Sequence, residues 1–189
     1  MEKHVIHIFG ASGSGTSTLG KKICDELGYR FMDTDDYFWL PTDPKFTAKR
    51  DVKERLAMMK KDIQCAENAV ISGSLADWGD ALIPYFTLAV RLETAADIRI
   101  SRLLQRERER FGTRIDSGGD MFEQHQDFIA WARAYDTGGP AMRSKAKHDQ
   151  WQKLLPCKLI ELDGADALDT NFEAVRRALK QVILGCYQG

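Results

Sequence analysis

The stretch that most constrains this chain is Gly10-Ala11-Ser12-Gly13-Ser14-Gly15-Thr16-Ser17-Thr18. The apolar run before it, residues 5–9, has the length and composition of a buried strand. The segment after it places Leu19, Ile23 and Leu27 on one helical face. Strand, glycine-rich loop and helix in that order form the setting of a phosphate-binding loop. Glycines let backbone N–H groups converge on an anion, and the helix N-terminus adds free donors and partial positive charge. Gly10, Gly15 and Ser17 occupy the fixed positions of the pattern G-x-x-x-x-G-K-[ST], and Thr16 stands where the pattern has lysine. That lysine normally reaches the β- and γ-phosphates as a point charge. Thr16 offers a hydroxyl without charge, so the backbone cradle is kept and a cation is required from elsewhere.

The 189 residues suffice for one α/β domain, taken as 1–189. A net charge of −1 gives no electrostatic case for a nucleic-acid or anionic-membrane partner. No apolar run has membrane-spanning length, and Met1-Glu2-Lys3-His4 leads straight into the first strand. Cys24, Cys65, Cys157 and Cys186 are widely spread, the pattern of reduced thiols in a cytoplasmic protein.

Along the chain, strands are expected at 4–9, 29–32, 69–72, 87–92 and 158–162. Helices are expected at 15–26, 48–68, 95–110, 120–135, 141–155 and 169–184. The second strand empties into Asp33-Thr34-Asp35-Asp36, carboxylates that need solvent, a cation or a ligand hydroxyl to sit so close together. The C-terminal end of a strand is also where α/β sheets bind ligands. The basic residues of the 48–68 helix, Arg55 among them, and the arginines of the 95–110 helix, Arg99 included, fall on faces expected to be solvated. Arg102, Arg106 and Arg110 share one helical face. The glycine-bearing connection that follows, with Arg114, suits a mobile lid at about 102–120. Residues 38–68 form the expected mobile acceptor-side segment.

Alternating strands and helices imply a three-layer fold, a five-stranded parallel sheet flanked by helices with a helical lid. Opened by this loop, the arrangement resembles the nucleoside-monophosphate kinase and shikimate kinase branch of the P-loop NTPases. Asp33 and Asp35 resemble the acceptor and magnesium motif of shikimate kinases. Ser72-Gly73-Ser74 resembles the glycine-bearing acceptor site of shikimate and gluconate kinases. The 95–110 helix resembles the adenylate kinase helix entering the lid, with Arg102 and Arg106 on its arginine positions. Asp163-Gly164 resembles the turn backing the adenine. Gly13 to Thr18 is similar to the loop of archaeal-type cytidylate kinases, which implies that a loop without lysine need not lose phosphoryl transfer.

The resemblance implies ATP and Mg²⁺ as cofactors. Amides of the loop, Gly10 to Thr18, would hold phosphates, with Ser17 and Asp33 at the metal. Asp35 would orient and deprotonate the acceptor hydroxyl. Asp33, Gly73, Ser74 and Arg114 would line the acceptor site, and Gly164 the nucleotide. Arg102, Arg106 and Arg110 would close over the phosphates, with Arg106 or Arg110 supplying the charge Thr16 lacks. The expected activity is phosphoryl transfer from a nucleoside triphosphate to a small-molecule acceptor. The alternatives are a nucleoside-monophosphate kinase and a nucleotide-binding regulator without turnover. The chain is expected as a monomer or homodimer.

Overall fold

Strand β1 (Val5–Gly10) is buried along its whole length and occupies the centre of a five-stranded sheet. The strands β2 (Arg30–Asp33), β3 (Ala69–Ser72), β4 (Leu88–Glu93) and β5 (Lys158–Asp163) complete it in the order β2-β3-β1-β4-β5. Every pairing is parallel. The computed structural model describes residues 3–186. Registers Asp33↔Ser72, Gly10↔Leu92 and Glu93↔Asp163 bring the carboxyl ends of all the strands to one edge, where an α/β sheet binds ligands.

Helices cover both faces. On one, α1 (Thr16–Leu27) and α7 (Leu168–Cys186) pack Leu19, Ile23, Phe172 and Val175 onto Ile6, Ile8, Val70 and Val90. On the other, α3 (Val52–Cys65) and α6 (Lys145–Trp151) bring Met59, Ile63 and Trp151 against Phe9 and Ile71. Each fully buried aliphatic chain here contributes about 1.5–3 kcal/mol. The short α2 (Thr34–Phe38) follows β2 directly. At the carboxyl edge, α4 (Ala96–Phe111) and α5 (Phe122–Arg133) share a smaller cluster of Ile100, Leu103, Ile129 and Ala132. No helix among the described residues is long and apolar enough to cross a membrane.

Several expected boundaries move for local reasons. Helix α3 starts at Val52 rather than at 48, because the Asp51 carboxylate caps it, accepting from Lys53 N at 2.8 Å and Glu54 N at 3.4 Å. The preceding residues are held extended by an antiparallel bridge between Trp39 and Lys49. Helix α6 starts at Lys145 rather than at 141, with Ser144 as its cap. The 111–119 connection contains a 3₁₀ turn, Gly112–Ile115, and is tied down by Arg108–Asp116 and Arg114–Asp120 ion pairs. It docks on the 38–68 segment through Phe46, which packs against Phe111, Ile115 and Met121.

Two arginines expected on solvated faces are buried. Arg55 lays its guanidinium 3.8 Å over the Phe38 ring and donates to Arg50 O. Arg99 is 0% exposed and donates to Thr94 O, Ala132 O and Asp136. Strand β4 also carries a buried cation, Arg91, paired with Glu93 at 3.1 Å and Asp149 at 2.6 Å. Spacing placed Arg99 outside because helical periodicity does not reveal a second layer packed on α4.

Arg99→Met strips Thr94 O and Ala132 O of a donor inside the protein. It should cost about 2–4 kcal/mol in a denaturant titration, the range for leaving buried polar groups unpaired. Arg108→Met on the same helix, whose ion pair is solvent-exposed, should leave the midpoint essentially unchanged.

Candidate active site

The loop between β1 and α1 is shaped by backbone contacts. Gly13 and Gly15 have φ of 83° and 101°, the left-handed region that side chains disfavour. A Cβ on Gly13 would come within 2.6 Å of Arg99 O. Helix α1 begins at Thr16 with no side-chain cap and no acid in its first turn, which leaves its first N–H groups for an anion. In front of this loop opens a cleft of about 1200 Å³, lined among others by Gly13, Gly15, Thr16, Ser17 and Thr18.

The acidic wall comes from the β2–α2 junction. Ser17 Oγ donates to Asp33 Oδ2 at 3.0 Å, and Ser72 Oγ reaches Ser17 Oγ at 3.4 Å. Asp33 is also the cap of α2, its Oδ1 accepting from Asp35 N at 3.1 Å, so β2 must end where it does for the carboxylate to turn inward. A hydroxyl and a carboxylate in contact fit Mg²⁺, which takes few protein oxygens and completes its shell with phosphates and water. Asp35 stands in the first turn of α2 and lines the cleft. Enclosure by the cleft walls and the neighbouring Asp33 charge raise its pKa, while Arg143, Arg106 and Arg110 pull it back in that order. Its surface is open to solvent within the cleft, which moderates the shift.

The arginines of α4 have separate placements. Arg102 Nη1 donates to Gly164 O at 3.0 Å and Gly13 O at 3.4 Å, strapping the turn after β5 to the loop. Arg106 lines the cleft, its pKa lowered by partial burial and by Arg110. Arg110 lies over the Phe46 ring at 5.3 Å. Arg114 is held by Asp120 and by Asp43, the latter at 2.9 Å, and lies outside the cleft lining, which Asp43 joins. Ser74 and Gly73 sit behind the lining. Ser74 Oγ shares a hydrogen bond with His148 Nε2 at 2.9 Å, and Gly73, at φ 115°, leaves room for Thr34, whose Oγ1 a Cβ there would overlap. The structure thus gathers Thr16, Ser17, Thr18, Asp33, Asp35, Arg102, Arg106 and Arg110 around one cleft. It leaves Gly73, Ser74 and Arg114 as its frame.

One residue at this site was not among those the sequence suggested. Arg143, between the Gly138-Gly139-Pro140 turn and the Ser144 cap of α6, donates from Nη2 to Ser12 Oγ at 2.5 Å. Its guanidinium stacks 4.5 Å over Trp131, and its buried Nε has no partner among the described residues. The available signal was an arginine set directly between a glycine-proline turn and a serine helix cap.

Fold comparison defines the class of protein. A gluconokinase from Sinorhizobium meliloti 1021 superposes with a TM-score of 0.56 at 17% identity, covering 97% of this chain and 95% of that one. A shikimate kinase from Bacteroides thetaiotaomicron gives 0.55 at 16% identity, covering 94% and 98%. A deoxyadenosine kinase from M. mycoides with bound dATP gives 0.53 at 15% identity, covering 94% and 99%. The chain has the P-loop kinase fold. No protein-family model matches it. It is 42% identical over 173 residues to "Uncharacterized protein YqaC" of Bacillus subtilis (strain 168), covering 92% of this chain and 96% of that protein, and belongs to the same family.

Because the folded chain holds the Asp35 proton more tightly than the unfolded chain, Asp35 favours folding at acid pH. It loses that contribution as pH rises through the elevated folded-state value. Calorimetry should therefore find Asp35→Asn melting above the wild type at about pH 7, with the difference shrinking toward about pH 4.

Proposed function

We propose that the chain is an ATP-dependent phosphotransferase acting on a small hydroxyl-bearing metabolite, with an acceptor site of the shikimate or gluconate kinase kind. The observation that carries this reading is the Ser17–Asp33 contact at 3.0 Å beneath a cleft in which Asp35 faces Arg106 and Arg110. The residues 1–189 act as one kinase domain, its acceptor side at about 38–68 and its lid at about 102–120.

Phosphoryl transfer asks mainly for positioning and charge stabilisation. Loop amides from Ser12 to Thr16 hold the β-phosphate, with Gly10, Ala11 and Gly15 giving the loop its shape. Ser17 and Asp33 hold Mg²⁺, which when bound neutralises charge on the β- and γ-oxygens. The Asp35 carboxylate accepts the acceptor's hydroxyl proton as that oxygen bonds to the γ-phosphorus. The bond from phosphorus to the β–γ bridging oxygen breaks, and ADP leaves. A carboxylate whose pKa is raised is a stronger base than an unperturbed one. Arg106 and Arg110 face the transferred group from the lid, Arg102 and Gly164 border the nucleotide, and Gly73, Ser74 and Arg114 frame the acceptor end. A nucleoside monophosphate remains an acceptor of the right charge for Arg106 and Arg110.

A coupled ADP-release assay over sugar acids, polyols, nucleosides and nucleoside monophosphates tests the proposal. Acceptor-stimulated turnover supports it; nucleotide binding without turnover on any acceptor makes the chain a nucleotide-binding regulator. With the acceptor in hand, Asp35→Asn should lower the rate by about 10²-fold or more with ATP affinity nearly unchanged. Ser17→Ala should lower turnover more than it weakens nucleotide binding, and raise the Mg²⁺ concentration for half-maximal rate.

A further inference from the structure

The loop is one charge short at Thr16, and the cations around it have different placements. Lys22 is paired with Glu26 and Asp169, and Lys21 lies 5.7 Å over the Phe31 ring. Arg102 is bound to two carbonyls, and Arg110 is stacked on Phe46. Arg106 projects from α4, on the part of the chain expected to move.

Arg143 is the cation that meets the loop at Ser12. It touches the crest of the loop through Ser12 Oγ, and its buried Nε has no acceptor among the described residues. A buried guanidinium N–H without a partner is costly, and an anion at the loop would remove that cost. The residue is also placed in advance. Ser144 beside it is 0% exposed and caps α6, and Trp131 lies beneath the guanidinium. Helix α6 is pinned to the sheet by Arg91–Asp149 at 2.6 Å and Lys145–Glu93 at 2.5 Å, and by His148 between Ser74 and Tyr135.

We infer that Arg143 supplies the positive charge that Thr16 withholds, binding a γ-phosphate oxygen of the nucleotide at the loop beside Ser12. The inference rests on the kinase reading above and moves the compensating charge from the lid helix to a fixed turn. A guanidinium serves there because it stays charged when buried and can hold two oxygens at once.

Titration calorimetry with MgATP and MgADP tests it without an acceptor. Arg143→Gln should weaken MgATP by about 10–100-fold while MgADP changes less than about threefold, since a charge-assisted contact to the γ-phosphate alone is lost. Thr16→Lys in that background should restore MgATP to within about threefold of wild type, since a second cation at the loop then serves the same oxygen. Where Arg143→Gln melts early, Arg143→Lys replaces it, and it should lower the ATP-to-ADP affinity ratio as well, though by less, since an ammonium keeps the charge and loses the hold on two oxygens. Equal losses for both nucleotides, an unchanged ratio in Arg143→Gln or in the Arg143→Lys that replaces it, or no rescue by Thr16→Lys would overturn the inference. A wild-type chain that binds neither nucleotide would instead remove the kinase reading itself.

Discussion

The phosphate-binding loop is held where three stretches of bare backbone meet. A Cβ on Gly10 would overlap Leu92 O at the end of β4, one on Gly13 would press on Arg99 O in α4, and one on Gly164 would overlap Ser14 O. Loop, strand end, helix and the turn after β5 therefore approach more closely than any side chain allows. Such contacts fix the loop's shape before any ligand arrives, which is the preorganisation that anion binding by backbone amides requires. Everything else at the site takes its position from this junction: α1 starts at the loop, α4 leans on it, and Asp33 reaches Ser17 across it.

The sheet and the loop were legible because their signals are local. A central strand buried on both faces is a short apolar run, and β1, β3 and β4 are such runs. The sheet-edge carboxylates were legible too, since Asp33 and Asp35 are adjacent in sequence to the strand that places them. What the sequence hid depends on distant partners. Arg99 reads as a solvated helix residue until Asp136, 37 positions later, is brought beside it. Arg143 reads as one more basic residue until the fold carries it 131 positions back to Ser12. Helix starts at Val52 and Lys145 were recoverable in principle from the Asp51 and Ser144 caps, which propensity outweighed in a reading by apolar spacing.

The two walls of the cleft are built by different means. The acidic wall is short-range, a strand end and a five-residue helix whose own backbone donates to Asp33. The basic wall is built on α4, where Arg110 is oriented by stacking on Phe46; behind the loop, Arg143 is oriented in the same way by Trp131. Aromatic faces hold guanidiniums in place without consuming their N–H donors, which leaves those donors for oxygen anions.

His148 is closed in between two hydroxyls, Tyr135 OH on Nδ1 at 2.8 Å and Ser74 Oγ on Nε2 at 2.9 Å. Burial and nearby cations lower its pKa to about 3, so the ring is neutral. A neutral imidazole has one donor and one acceptor nitrogen. One hydroxyl must then give a proton to the ring and the other must receive one. The end of β3 and the segment after α5 are thereby joined by a single tautomeric choice, in which the direction of one O–H bond dictates the direction of the other with no heavy atom moving.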